Sequence, residues 1–197
     1  MANLKHLNLQ GAGSSDYENN KLLLAQNITL DYLNLLGSKI NIISTSPTDI
    51  ENEDGCNFAG IKFNKGATLV FSSGSLSNKY IKAIKNLDYI VTASGLFSYC
   101  SNLKLLENCN LIVRDSGATS MFVGTSSLDI LDENNNTFDF GNANGGNEDD
   151  YGTFCTNASS MFQSSKINFE FIKNITKCLI NVTNFSCYCY NCKFGGE

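Results

Sequence analysis

A short apolar-aromatic phrase recurs in the second half of the chain and limits its fold more than any other feature. Leu96-Phe97-Ser-Tyr-Cys100-Ser-Asn-Leu103 is one copy and Met121-Phe122-Val-Gly-Thr125-Ser-Ser-Leu128 the next. Met161-Phe162-Gln-Ser-Ser165-Lys-Ile167 is a third, and Tyr188-Cys189-Tyr-Asn-Cys192-Lys-Phe194 a worn fourth. In each, a small Cys, Thr or Ser follows three residues after the second member of the leading pair. Those second members are Phe97, Phe122, Phe162 and Cys189. The first and last steps between them are nearly equal, and the middle step is longer. That longer step reads as one repeat plus an insertion. A period of roughly 20–30 residues marks stacked repeats, which bury a continuous core only by packing on their neighbours. It turns the functional expectation from a catalytic pocket toward an extended surface.

A second phrase gives the same period. Leu4-Lys-His-Leu7-Asn-Leu9 and Leu30-Asp-Tyr-Leu33-Asn-Leu35 share one spacing. The step from Leu4 to Leu30 falls between the two short steps of the first phrase. Alternation puts Leu7 and Leu9, or Leu33 and Leu35, on one face of a strand. Strand-like runs bounded by turn residues lie at Ile40–Ile43, Ile61–Phe63, Thr68–Phe71, Tyr89–Val91, Leu111–Val113, Phe138–Phe140, Phe169–Phe171 and Cys178–Val182. From Asn78 to Leu87 the spacing changes: Tyr80, Ile81, Ile84 and Leu87 recur at helical intervals, with Lys79, Lys82 and Lys85 on another face. This predicts one short amphipathic helix.

The expected organisation is a single repeat domain over 1–197. It comprises leucine-rich and strand repeats over 1–75, the short helix over 76–88, and later repeats over 89–197 with an inserted loop at 132–152. The fold class expected is mainly β, with stacked short parallel strands. The predicted repeat core is Leu7, Leu9, Leu33, Leu35, Phe97, Cys100, Leu103, Met121, Phe122, Leu128, Met161, Phe162 and Cys192.

Composition excludes several classes. The net charge is −5 and the cationic residues are scattered, whereas nucleic-acid binding needs a basic face. No apolar run approaches a membrane span, so no membrane insertion is expected. The amino terminus carries no charged segment followed by an apolar one, which favours a cytoplasmic or virion location over secretion. Many Asn and 16 Gly beside a single Pro suggest a fold turned by Asn and Gly rather than by Pro, and the abundance of Asn with Arg114 as the sole arginine reads as the mark of an AT-rich genome. The Asn-x-Ser/Thr sites at Asn27, Asn135, Asn157, Asn174, Asn181 and Asn184 read as products of that bias.

The candidates for chemistry are few. His6 is the only histidine, so a multi-histidine metal site has no second partner. Cys178, Cys187, Cys189 and Cys192 have the density of a zinc site but only one Cys-x2-Cys pair, so zinc, a disulfide and packed free thiols all stay open. The acidic stretch Asp49 to Gly55 lacks the spacing of an EF-hand. Glu148, Asp149 and Asp150 read as a solvated loop, with calcium as the alternative. No phosphate-binding glycine loop is present. No cofactor is expected.

The phrases resemble the BspA-type leucine-rich repeat, including its Met-Phe-x-x-Cys-x-x-Leu variant. The resemblance covers Leu87 to Phe194, with a weaker leucine-rich match over Leu4 to Leu36; Thr125 and Ser165 stand where that variant has Cys. It implies a right-handed solenoid with one stacked parallel sheet and a non-catalytic role in adhesion or recognition. The expected function is a binding module for a protein or glycan, through the sheet face and the inserted loop, with Tyr151 as anchor beside Asp149 and Asp150. The rival of another class is a structural component of a phage or viral particle, with homo-oligomer or particle assembly as its sign. A third reading is a polysaccharide-acting β-helix enzyme.

Overall fold

The structure, a computed structural model, describes residues 4–15, 17, 19–44, 54–74, 76–128, 135–141, 155–168, 184, 186, 190 and 193–195. Its early strands are β1 (His6–Asn8), β2 (Lys21–Leu24), β3 (Ile28–Asn34), β4 (Asn41–Ser44), β5 (Cys56–Asn57) and β6 (Ile61–Val70). The middle of the chain adds β7 (Ser72–Ser73), β8 (Leu76–Ser77), β9 (Ala83–Lys85), β10 (Asp88–Val91), β11 (Leu105–Glu107) and β12 (Asn110–Val113). The last three are β13 (Thr137–Asp139), β14 (Lys166–Asn168) and β15 (Lys193–Gly195).

The protein is mainly β, and its described sheets are parallel except for the β7–β8 hairpin. One sheet of five strands runs β11-β9-β5-β4-β2. Two sheets of three strands run β1-β3-β6 and β10-β12-β13. The chain passes from a strand of a three-stranded sheet to one of the five-stranded sheet and back, as in β10, β11, β12. Parallel pairing requires such long returns. The resemblance implied one stacked sheet; each return strand instead pairs with its predecessor and builds a second. Between β6 and β10 a side chain takes the place of a ladder: the Tyr89 hydroxyl accepts from Leu69 N at 3.2 Å and donates to Ala67 O at 3.0 Å.

Left-handed residues open the turns into the three-stranded sheets. Asn27, Gly60, Asn86, Asn108 and Asn135 precede β3, β6, β10, β12 and β13, all at φ between 51° and 74°. Asn and Gly are the residues that enter this region at least cost. Asn also closes turns with its side chain. The Oδ1 atoms of Asn8, Asn34, Asn57, Asn78, Asn157 and Asn184 each accept from the backbone N–H two residues on. These asparagines are turn-formers, in keeping with a fold turned by Asn and Gly rather than by Pro.

The core is one contiguous cluster from Leu24 to Phe162. Registered rows feed it: Leu7, Leu33 and Leu69 from one sheet, Leu22, Ile42, Cys56, Ile84 and Leu106 from the five-stranded sheet. Leu33, Leu35, Phe97, Cys100, Leu103, Met121, Phe122, Leu128, Met161 and Phe162 are buried. Leu7 and Leu9 are only half-buried, because β1 is the outermost strand of its sheet and its residues have a neighbour on one side alone. Cys192 lies outside the described residues.

No helix forms among the described residues of 76–88. Asn78 ends the hairpin, its Oδ1 accepting from Tyr80 N and Ile81 N at 2.9 and 3.0 Å while its Nδ2 donates to Leu35 O at 2.7 Å. Residues 83–85 then enter the five-stranded sheet between β5 and β11. The apparent helical spacing arises because Ile81, Ile84 and Leu87, three residues apart, all face the core, with bends at 79–80 before the strand and at Asn86 after it. The sheet's open hydrogen-bonding positions outweigh the weak local preference.

Arg114 is fully buried at 1% exposure. Its guanidinium donates to Val113 O, Asp139 O and Asp139 Oδ2 at 3.1, 2.7 and 3.0 Å. A planar fork of five donors on separate nitrogens reaches the two carbonyls and the carboxylate together, where a lysine has one nitrogen to do so.

Candidate functional site

The recurring phrase forms a column of turns, each hydrogen-bonded to the next. Phe97 N donates to Met121 O and Tyr99 N to Val123 O, at 3.0 and 2.6 Å. Across the longer step, Phe122 N donates to Met161 O and Gly124 N to Gln163 O, at 2.8 and 2.9 Å. Ser160 N and Ser164 N then reach Ser186 O and Tyr190 O, both at 2.8 Å. Inside this column the rings of Phe71, Phe97, Phe122 and Phe162 pack in sequence, with centroids 5.7, 5.6 and 5.5 Å apart. The Phe122–Phe162 pair is near parallel at 4°. Such contacts add to the burial of the rings themselves.

The small residue after each phenylalanine is buried and serves the turn. Thr125 Oγ1 donates to Phe122 O at 2.8 Å, and Ser165 Oγ reaches the same carbonyl. Cys100 holds the equivalent place. Burial pushes the Cys56 and Cys100 thiols up to about 12 and that of Cys109 to about 11. With Cys155 these are free, buried thiols, without the lowered pKa of a nucleophile.

The outer side of the column is a shallow groove of about 430 Å³, lined by Ser72, Ser73, Gly74, Ser94, Gly95, Ser98, Tyr99, Ser120, Val123 and Gln163. None of these carries a charge. Tyr99 is its aromatic feature, 46% exposed and at φ 54°. Its ring lies on the backbone of Gly124, where a Cβ would fall 2.7 Å from Tyr99 Cδ1. Ser77 Oγ donates to Tyr99 O at 2.8 Å and fixes the turn from the hairpin side. The positions equivalent to Tyr99 in the next two turns are Gly124 and Ser164, so the backbone itself does not ask for an aromatic there.

The sheet face offers a different surface. Asp88, Asn110 and Thr137 form a row across β10, β12 and β13, linked side chain to side chain at 3.1 and 2.6 Å. His6 is exposed on β1, its ring 6.1 Å from that of Tyr32 and apart from the groove. Tyr151, Asp149 and Asp150 lie outside the described residues, as do Glu148, Cys178, Cys187, Cys189 and the stretch 45–53. No helix among the described residues is long and apolar enough to cross a membrane.

Three features escape a reading of the sequence alone. Phe71 belongs to the ring column, and its signal is its place directly after Val70, one repeat ahead of Phe97. Tyr99 sits inside the recurring phrase, and its signal is the contrast with the Gly and Ser at its equivalents. Arg114 stands out only as the sole arginine, with nothing to mark its burial. No protein-family model, curated protein or solved structure matches the chain.

Proposed function

We propose that the chain is a non-enzymatic recognition module: a right-handed, leucine-rich-repeat-like solenoid of BspA type that presents its turn face to a protein or glycan. The observation that carries this reading is the retained register of the turn column. The same backbone atoms pair across steps of unequal length, and the outward positions vary while phenylalanine is kept at the inward ring position. Parallel returns of this kind are right-handed almost without exception. A scaffold that holds its interior constant and varies its surface is suited to recognition.

The test is a one-step deletion. Removing residues 98–122 joins Phe97 to Val123 in register. A stack absorbs the loss and keeps a cooperative unfolding transition, whereas a core closed by non-repeating contacts collapses to an unfolded chain.

A component of a larger assembly is the second reading. Leu23, 51% exposed on the outermost strand β2, and Leu4, 38% exposed just before β1, favour it. A monomeric mass by light scattering across the working concentration range counts against assembly.

A further inference from the structure

We infer that the serine-lined groove binds a linear, neutral oligosaccharide, with the Tyr99 ring as the face on which one sugar stacks. The inference rests on the recognition reading above and names its ligand class.

The lining sets the charge of the ligand. Ser94, Ser98, Ser120 and Gln163 offer hydroxyl and amide groups, and among the described residues no carboxylate, ammonium or guanidinium lines the groove. A phosphate, a nucleotide or an acidic sugar finds no counter-charge there, and a divalent cation finds no carboxylate. What remains is a polar, uncharged molecule that both donates and accepts hydrogen bonds.

Tyr99 sets its shape. An aromatic face takes a flat apolar surface, and a pyranose ring has one on its C–H side and hydroxyls around its rim. The ring is held against Gly124, so little freedom is lost when a ligand lands on it. It is also held at a cost. A bulky residue at φ 54° is strained, and the equivalent turns carry Gly124 and Ser164. Strain kept where the fold does not need it points to use.

The stack sets its length. Ser98, Val123, Gln163 and Tyr190 occupy one register position in successive turns. Tyr190, 58% exposed, therefore stands three turns from the Tyr99 level, about 14 Å at the ~4.8 Å strand spacing. A chain of sugars running along the stack extends from Tyr99 past Gly124 and Ser164 toward the level of Tyr190; a single sugar covers one level. A protein ligand fits less well, because the groove lacks the buried apolar patch that anchors a protein interface.

The experiment is calorimetric titration of the full chain with the tetrasaccharides of β-1,4-glucan, β-1,3-glucan and β-1,4-mannan, and with tetragalacturonate as the acidic control. Reducing ends are assayed in the same samples. Tyr99→Gly removes the ring and relieves the backbone, so it folds at least as well as the wild type. The expected result is binding of at least one neutral chain, with tetragalacturonate and Tyr99→Gly each weaker by about tenfold or more and the variant's melting temperature not lowered. Failure of every neutral chain to bind by about 1 mM, or equal binding by Tyr99→Gly, overturns the saccharide assignment and leaves the recognition module standing. Release of reducing ends overturns the non-enzymatic reading itself, and the inference falls with it.

Discussion

Two sets of left-handed turns border the same core and are filled by different rules. The turns that enter the three-stranded sheets use Asn27, Gly60, Asn86, Asn108 and Asn135, residues for which the conformation is cheap. The turn column uses Tyr99, Gly124 and Ser164 at one equivalent position, and the first of these is expensive there. The backbone demand is the same in both places, so the difference lies in what the side chain does beyond the turn. In the Asn set it serves the fold. Asn86 Nδ2 donates to Asn57 Oδ1 at 2.8 Å, tying one turn to the previous one. At Tyr99 the side chain is half exposed on the groove and packs on Gly124.

The variant expected to erase the contrast altogether is Phe122→Ala. The ring of Phe122 stands between those of Phe97 and Phe162 and also meets Phe138 edge-on. Its loss costs about 3–5 kcal/mol in urea unfolding, because a void opens where the turn column and the sheet meet. Both sets of turns then lose amide protection together.

A pair of substitutions sharpens the contrast. Asn108→Val puts a branched side chain at φ 51° and costs roughly 1–3 kcal/mol. Tyr99→Gly at φ 54° is neutral or stabilising by up to about 1 kcal/mol. Opposite signs at nearly equal angles, read from chemical denaturation of both variants, establish that one turn is built for stability and the other against it. A loss of stability in both sinks the distinction.

The smallest effect is a pH dependence at Asp139 on β13, the strand entered through the Asn135 turn. Burial pulls the Asp139 carboxyl upward, but the Arg114 hydrogen bond, the Gly141 N–H and the Arg114 charge outweigh it and hold the group below 3.8. The stability from this pair is complete above that unfolded value and is lost as pH falls through the lower folded one. The melting temperature of Asp139→Asn therefore falls less steeply than the wild type's on going below about pH 4. Since the Asp139 side chain is 56% exposed, the difference is modest.

Phe97, Phe122 and Phe162 were legible because identical side chains in an equivalent setting repeat the same neighbours. Phe71 was not, because the hairpin of β7 and β8 replaces the rest of its phrase. The segment after it misled for a related reason: near a bend, core-facing residues three apart mimic helical spacing, and only the waiting edges of β5 and β11 decide for a strand. Asn was legible as the turn residue of this fold, but its abundance hid which copies close turns. A count cannot separate an asparagine two positions before a turn amide from one in solvent, whereas the column of turns does so at once. Tyr99 was visible as a letter but not as a cost, since φ does not appear in a sequence.

The long step between Phe122 and Phe162 has a consequence for how such a chain can change. These two rings stack as closely as Phe97 and Phe122, although far more chain connects them. Contour length between neighbours is therefore under almost no constraint, while position within the turn is under strict constraint. Insertions on either side of β13, between Leu128 and Asn135 or between Gly141 and Cys155, can be gained, lost or exchanged, whereas β13 itself has to stay, because Phe140 is buried and Asp139 holds Arg114. The molecule has a site at which foreign sequence can be grafted, and a lineage carrying it can renew its surface by recombination while inheriting its core unaltered.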